Sequence, residues 1–110
     1  MIEHRGILTF TADISADLDA NFNRWYEEEH IPERLAIPGF LRACRYKAVS
    51  GGPKYLAIYE VTGPEVFETP EYLHFLKGIG ETPWTKRVLA ASTNKSRLIY
   101  EKISERKAQP

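Results

Sequence analysis

Leu8, Phe10, Ala12 and Ile14 alternate with Thr9, Thr11 and Asp13, a period of two that predicts a strand over 6–14 with one buried face. The spacing then lengthens. Leu18, Phe22, Trp25 and Glu29 recur at helical intervals, and Ser15 and Asp17 offer capping oxygens just ahead of them. Pro32 lacks a backbone donor and biases Ile31 away from helical geometry, so this first long helix is expected to stop there. A short further turn of helix fits 32–36 before Pro38-Gly39 redirects the chain. Two strand-like runs, 40–49 and 55–62, flank Ser50-Gly-Gly-Pro-Lys54, whose glycines permit the positive φ angles of an antiparallel hairpin. After Gly63-Pro64, Thr69 caps and Pro70 opens a second helix with Tyr72, Leu73, Phe75 and Leu76 on its apolar side, and Gly78 and Gly80 are expected to end it. Thr82-Pro83-Trp84 repeats the cap-plus-proline start, predicting a short extra helix to Ala91 ahead of a last strand over 95–103. The polar stretch 104–110 reads as a flexible tail.

The order β-α-β-β-α-β is that of a ferredoxin-like α+β fold, an antiparallel four-stranded sheet with its helices on one face. A chain of 110 residues is expected to be a single domain. Over 40–49 one side reads Phe40, Arg42, Cys44, Tyr46 and Ala48, and the other Leu41, Ala43, Arg45, Lys47 and Val49. Over 55–62 the sides are Tyr55, Ala57, Tyr59 and Val61 against Leu56, Ile58, Glu60 and Thr62. Both faces are substantially apolar, whereas a sheet with one side in water should be polar there. A homodimer packed sheet to sheet is the expected cover.

Fifteen basic and fifteen acidic side chains cancel, and no predicted element carries a basic stripe, so nucleic acid is not an expected partner. The apolar runs fall far short of the ~20 residues of a membrane span, and no secretory signal is evident. A lone Cys44 has no internal disulfide partner, which fits a reducing cytoplasm. No Gly-rich phosphate loop, CxxC pair, HExxH or GxSxG occurs, so neither a cofactor nor a structural zinc is expected.

The element order, the chain length and the run W-Y-x-x-E-H-I-P followed by I-P-G-F resemble the dimeric α/β-barrel superfamily, particularly its EthD-like and muconolactone-isomerase-like small proteins. The motif support is Trp25, His30, Pro38-Gly39 and the aromatic Tyr46. The resemblance implies a homodimer with one pocket per subunit between sheet and helices, used for small aromatic or polyketide-like ligands. Its members include isomerases, cyclases, cofactor-free monooxygenases, dehydratases and haem-handling proteins, so fold does not choose among them.

Candidate site residues follow from the first helix. At 100° per residue with Leu18 at zero, Phe22 falls near 40°, Tyr26 near 80°, His30 near 120° and Asn23 near 140°, one edge of the apolar stripe. A neutral imidazole there can take a proton from an acid, enol or phenol, since its reference pKa of about 6.5 lies close to working pH. Tyr26 and Asn23 would orient it or hold a substrate oxygen. The plainer reading is a helix-terminal histidine complementing the dipole. His74 and Trp84 are candidates for the opposite wall of the pocket, with Phe22 and Tyr46 as further substrate contacts. Trp25 reads as core. Arg34, Arg42 and Arg45 are candidate carboxylate partners, and Glu29, inside the stripe, is a candidate ion-pair partner for an arginine. Glu27 and His30, like Glu71 and His74, form E-x-x-H pairs, the spacing of di-iron bundle ligands. No four-helix bundle is predicted and Glu27 points away at about 180°, so no metal is expected.

The expected function is a small-molecule enzyme, of isomerase, cyclase, lyase or monooxygenase-like type, using His30 for cofactor-independent proton transfer on an aromatic, lactone or polyketide-derived substrate. The alternative is a non-catalytic small-ligand or haem-binding protein, or an accessory protein of an oxygenase pathway.

Overall fold

A computed structural model describes residues 3–76 and 81–110. Strands β1 (Gly6–Asp13), β2 (Phe40–Lys47), β3 (Tyr55–Val61) and β4 (Thr93–Glu101) form one antiparallel sheet in the order β2-β3-β1-β4. Helical segments α1 (Asp19–Trp25), α2 (Ile31–Leu35), α3 (Pro70–Leu76) and α4 (Pro83–Ala91) complete a ferredoxin-like α+β fold. Gly78 and Gly80, expected to end the second helix, lie outside the described residues.

The alternation in β1 and β3 decides which face is covered. Leu8, Ala12, Ala57, Tyr59 and Val61 are buried and form the floor of the core, beneath Phe22, Trp25 and Tyr26 of the first helical run and Phe67 and Tyr72 of the second. Burying each large side chain contributes roughly 1.5–3 kcal/mol, so Trp25, Tyr59 and Phe22 anchor the helices to the sheet. On the opposite face Tyr46 and Tyr100 are about half exposed and Ile7, Leu56, Ile58 and Leu98 lie beside them.

Several local expectations are corrected. Simple alternation along β2 put Phe40 with Arg42 and Cys44, but the register shifts between Phe40 and Arg42. That bulge flips the side-chain parity, so Phe40 is buried on the same face as Ala43 and Arg45. The strands β2 and β3 also end earlier than expected, at Lys47 and Val61, and Gly51 alone in their connection takes a positive φ, +75°. Strand β4 begins and ends two residues before 95–103, and Asn94, at φ +51°, sits at a register irregularity opposite Asp13 and donates to its carboxylate at 2.8 Å. Ser15 makes no side-chain cap; the chain enters α1 through a 3-10 turn over Ala16–Leu18. The Thr69 and Thr82 caps are present, with Thr82 Oγ1 accepting from the Thr85 N–H at 3.1 Å. An unforeseen 3-10 turn, Pro64–Glu68, buries Val66 and Phe67.

The largest correction concerns Pro32. The first helix does not stop there but continues through a π-turn, Tyr26–His30, into α2. Ile31 has helical angles, φ −62° and ψ −47°, and its N–H reaches the Tyr26 carbonyl five residues back. A proline ring collides with the carbonyl four residues before it in a regular α-helix; the wider turn relieves that collision, so the helix bulges instead of breaking. Ile37 then leads into Gly39, whose φ of +97° and 2.5 Å approach of a built Cβ to Val66 Cγ2 leave room only for glycine. Among the described residues, no helix is long and apolar enough to cross a membrane.

Candidate functional site

Between the covered face of the sheet and the helices lies a cavity of about 170 Å3. Leu8 and Phe10 of β1 and Tyr59 of β3 form its floor, Trp25, Tyr26, His30 and Arg34 one wall, and Tyr72 and Phe75 of α3 the other. Arg97 on β4, opposite Phe10 in the register, and Glu81, Leu76 and Leu89 complete it.

The π-turn determines how His30 enters. On a regular wheel His30 and Trp25 are about 140° apart, yet their rings stack with centroids 4.3 Å apart. An i→i+5 turn holds more residues per revolution, so positions five apart become neighbours, and His30 rotates away from Asn23 toward Trp25. The Tyr26 and Tyr59 rings stand nearly perpendicular to the imidazole, with centroids 5.1 Å and 6.1 Å from its own. Trp25 is fixed in turn by its indole N–H, which donates to Thr85 Oγ1 at 2.9 Å. Glu29, expected to meet an arginine, instead accepts from the hydroxyls of Thr82 at 2.6 Å and Thr85 at 3.1 Å, tying the π-turn to the start of α4.

This environment favours neutral forms. Burial, then the charges of Arg34 and Arg45, hold the His30 imidazole well below its usual pKa. Burial pushes the Tyr26 phenol up to about 12 against the opposing pull of Arg45, and pushes Tyr59 well above its usual range. The Tyr59 hydroxyl is fully buried beside the Tyr26 phenol and makes no well-aligned hydrogen bond among the described residues. Arg34 lies over the Phe75 ring at 4.9 Å, and Arg97 Nε donates to the Tyr72 hydroxyl at 3.0 Å. Neither arginine forms an ion pair among the described residues.

Of the sequence candidates, the structure brings together His30, Tyr26 and Arg34, with Trp25 joining them from the position read as core. Asn23 does not join them. It lines a separate polar hollow, donating to the Asp19 carbonyl at 2.9 Å and the Tyr55 hydroxyl at 3.1 Å and accepting from Arg45 at 2.7 Å. Phe22 is a core wedge between Tyr26 and Tyr55. His74 is exposed and lines a different groove with Glu33, Pro38 and Glu71. Trp84 donates to Asn21 Oδ1 at 3.0 Å and takes Arg24 over its ring, on the outer side of the helices. Tyr46 stands on the sheet's other face and borders the Asn23 hollow. Arg42 pairs with Glu60 at 3.6 Å, and Arg45 holds Glu27 at 3.0 Å, which also turns Glu27 away from His30. Among the described residues no three His, Cys, Asp or Glu side chains cluster as metal ligands.

Sequence reasoning missed Phe10, Tyr59, Tyr72 and Arg97 as cavity residues. The inward parity of Phe10 and Tyr59 was readable from strand alternation, whereas Arg97 depends on the β1–β4 register.

A family profile described as a domain of unknown function, DUF4286, matches residues 5–94. The chain belongs to the DUF4286 family. No curated protein matches it in sequence. Solved structures similar to this DUF4286 protein share its fold at low identity. A dimeric ferredoxin-like protein from an uncultured marine organism superimposes with a TM-score of 0.71 at 13% identity, covering 97% of this chain and 95% of that one. SnoaB, a cofactor-independent oxygenase from Streptomyces nogalater, has a TM-score of 0.59 at 18% identity over 100% of this chain and 99% of its own. The haem degrader MhuD from Mycobacterium tuberculosis has a TM-score of 0.63 at 18% identity, over 93% and 99%.

Proposed function

We propose that this DUF4286 protein is a small-molecule enzyme in which His30 serves as a general base for cofactor-independent proton transfer. The observation that carries this reading is an imidazole stacked on Trp25 in a cavity walled by aromatic rings. A base must be unprotonated before it acts, and burial beside two guanidinium groups keeps His30 so. His30 would remove a proton from a carbon or hydroxyl acid, an enolate or phenolate would form, and the positive charge of Arg34 would stabilise it. The imidazolium can then return the proton at another atom, the step shared by isomerisation, cyclisation and elimination. Tyr26, kept protonated, would donate to a substrate oxygen. Likeness of fold to a cofactor-independent oxygenase supports the cofactor-free part of the reading. The EthD-like and muconolactone-isomerase-like resemblance points the same way.

The haem-binding alternative fits the cavity less well. Its volume of about 170 Å3 is close to the roughly 150 Å3 that accepts a benzene, and a porphyrin is far larger. We further propose a homodimer through the outer sheet face, supported by the apolar positions Ile7, Ile58, Leu98 and Tyr100 left on it. Sedimentation should give a dimer that Leu98→Lys dissociates; a monomeric wild type would overturn this.

Solvent exchange at carbon tests the catalytic reading whatever the final product is. Single-ring keto acids, lactones and phenols are incubated in D2O with the protein and followed by NMR. At least one should exchange with wild type and none with His30→Gln; exchange unchanged in a folded His30→Gln variant removes His30 from the chemistry.

A further inference from the structure

We infer that the cavity selects a single-ring carboxylate, held at its anionic end by Arg34 and Arg97. The inference rests on the reading of this cavity as a substrate site, and it deepens that reading by naming the ligand class. Size sets the ring. At about 170 Å3 the space admits one six-membered ring with a small substituent, and Phe10, Trp25 and Phe75 offer it aromatic edges and faces.

Charge sets the substituent. Arg34 on α2 and Arg97 on β4 reach the same cavity from opposite sides of the fold, and neither is neutralised by an ion pair among the described residues. Arg34 is engaged only with the Phe75 ring, and Arg97 with the neutral Tyr72 hydroxyl. Glu81 also lines the cavity, but a single carboxylate against two guanidinium groups and a neutral His30 leaves the walls net positive. A guanidinium presents parallel N–H donors that match a carboxylate better than a point charge does.

Calorimetric titration of the full chain at pH 7.5 with benzoate, benzamide and cyclohexanecarboxylate tests the inference. Benzoate should bind at least about tenfold tighter than benzamide, its neutral isostere, as expected for charge-assisted hydrogen bonds. It should also bind tighter than cyclohexanecarboxylate, which lacks the aromatic faces. Arg34→Gln and Arg97→Gln should each lower the benzoate preference by about fivefold or more, and Arg97→Lys should restore part of it. Melting curves of each variant confirm folding. Benzamide binding as tightly as benzoate, neither binding at about 10 mM, or a preference untouched in both folded arginine variants would each overturn the inference. The titration reads binding and the exchange assay reads proton transfer, so a failure of His30 as base leaves this result standing, and the reverse.

Discussion

The helical run from Asp19 to Leu35 has two polar flanks with opposite states of satisfaction. On the flank facing Tyr55, Asn23 bonds to Asp19, Tyr55 and Arg45, Tyr55 donates to Asp19 at 2.6 Å, and Lys54 and Glu27 close the set through Asp19 and Arg45. On the flank facing the cavity, the His30 ring and the Tyr59 hydroxyl make no hydrogen bond among the described residues, and Arg34 forms no ion pair there. Both flanks carry aromatic rings and charges, so composition does not separate them. What separates them is that one set of polar groups completes itself while the other waits for a partner. A buried polar group left unmade costs about 1–3 kcal/mol, so the two flanks should answer differently to the loss of a side chain.

The sharpest way to break this contrast is to remove one group from each flank. His30→Gln should lower carbon-acid exchange by about 10^2–10^4-fold, the usual contribution of a general base, while leaving the melting temperature nearly unchanged. Asn23→Ala should do the opposite, costing about 1–2 kcal/mol of stability by removing the amide that donates to Tyr55 and accepts from Arg45, and leaving exchange within about threefold. Equal losses of exchange in the two variants would erase the distinction.

Next in size is the support beneath the cavity wall. Thr85→Val keeps the shape but removes the hydroxyl that accepts from Trp25 and donates to Glu29. It should cost about 1–3 kcal/mol in urea unfolding, because it leaves a fully buried indole N–H unpaired. Exchange should fall as well, since Trp25 is the surface on which His30 stacks. A stability loss with exchange intact would show that His30 does not depend on that support.

A pair of identical chemical changes gives a smaller but cleaner comparison. Tyr55→Phe deletes a hydroxyl bonded to Asp19 and Asn23 and should destabilise by about 1–2 kcal/mol. Tyr59→Phe deletes a hydroxyl without a partner among the described residues and should be neutral or slightly stabilising, within about 0.5 kcal/mol, because nothing is left unmade. Similar losses in both would mean that Tyr59 is satisfied after all.

These flanks also show what the chain discloses before it folds. The strand periods, the Thr82 cap and the cap-plus-proline start of α4 were legible because each depends on residues within a few positions of one another. The architecture followed from element order alone. His30 and Tyr26 were readable as site candidates because they share one edge of the apolar stripe, and Arg34 because a guanidinium suits a carboxylate, but the wheel assumed a regular helix. One π-turn, itself signalled by Pro32 and misread as a stop, exchanged Asn23 for Trp25 as the neighbour of His30. A bulge of one residue in β2 likewise reversed the side of Phe40. Arg97 stayed hidden for another reason: it meets the helix only through the β1–β4 register, which local pattern does not encode.

The smallest predicted effect is a pH dependence assignable to His30. In the unfolded chain its imidazole titrates at the ordinary value of 6.5, whereas in the folded protein burial, Arg34 and Arg45 hold it well below that. Above 6.5 both states are neutral at this site and His30 leaves stability independent of pH. Below 6.5 the unfolded chain binds a proton that the folded protein refuses, so stability falls as pH drops from 6.5 toward the folded pKa. His30→Gln lacks this loss, and its melting temperature relative to wild type should rise progressively on acidification below 6.5. The carboxylates of Asp13 and Asp19 are also stabilised in the fold, Asp13 by the Lys54 N–H and Asp19 by the Tyr55 hydroxyl, but their contribution is lost only as pH falls past 3.8 and is common to both proteins. The same depressed pKa keeps the base unprotonated in mild acid. The acid limb of the exchange rate should therefore lie below pH 6.5, and a limb at or above that value in wild type would place the catalytic ionisation on some group other than this buried imidazole.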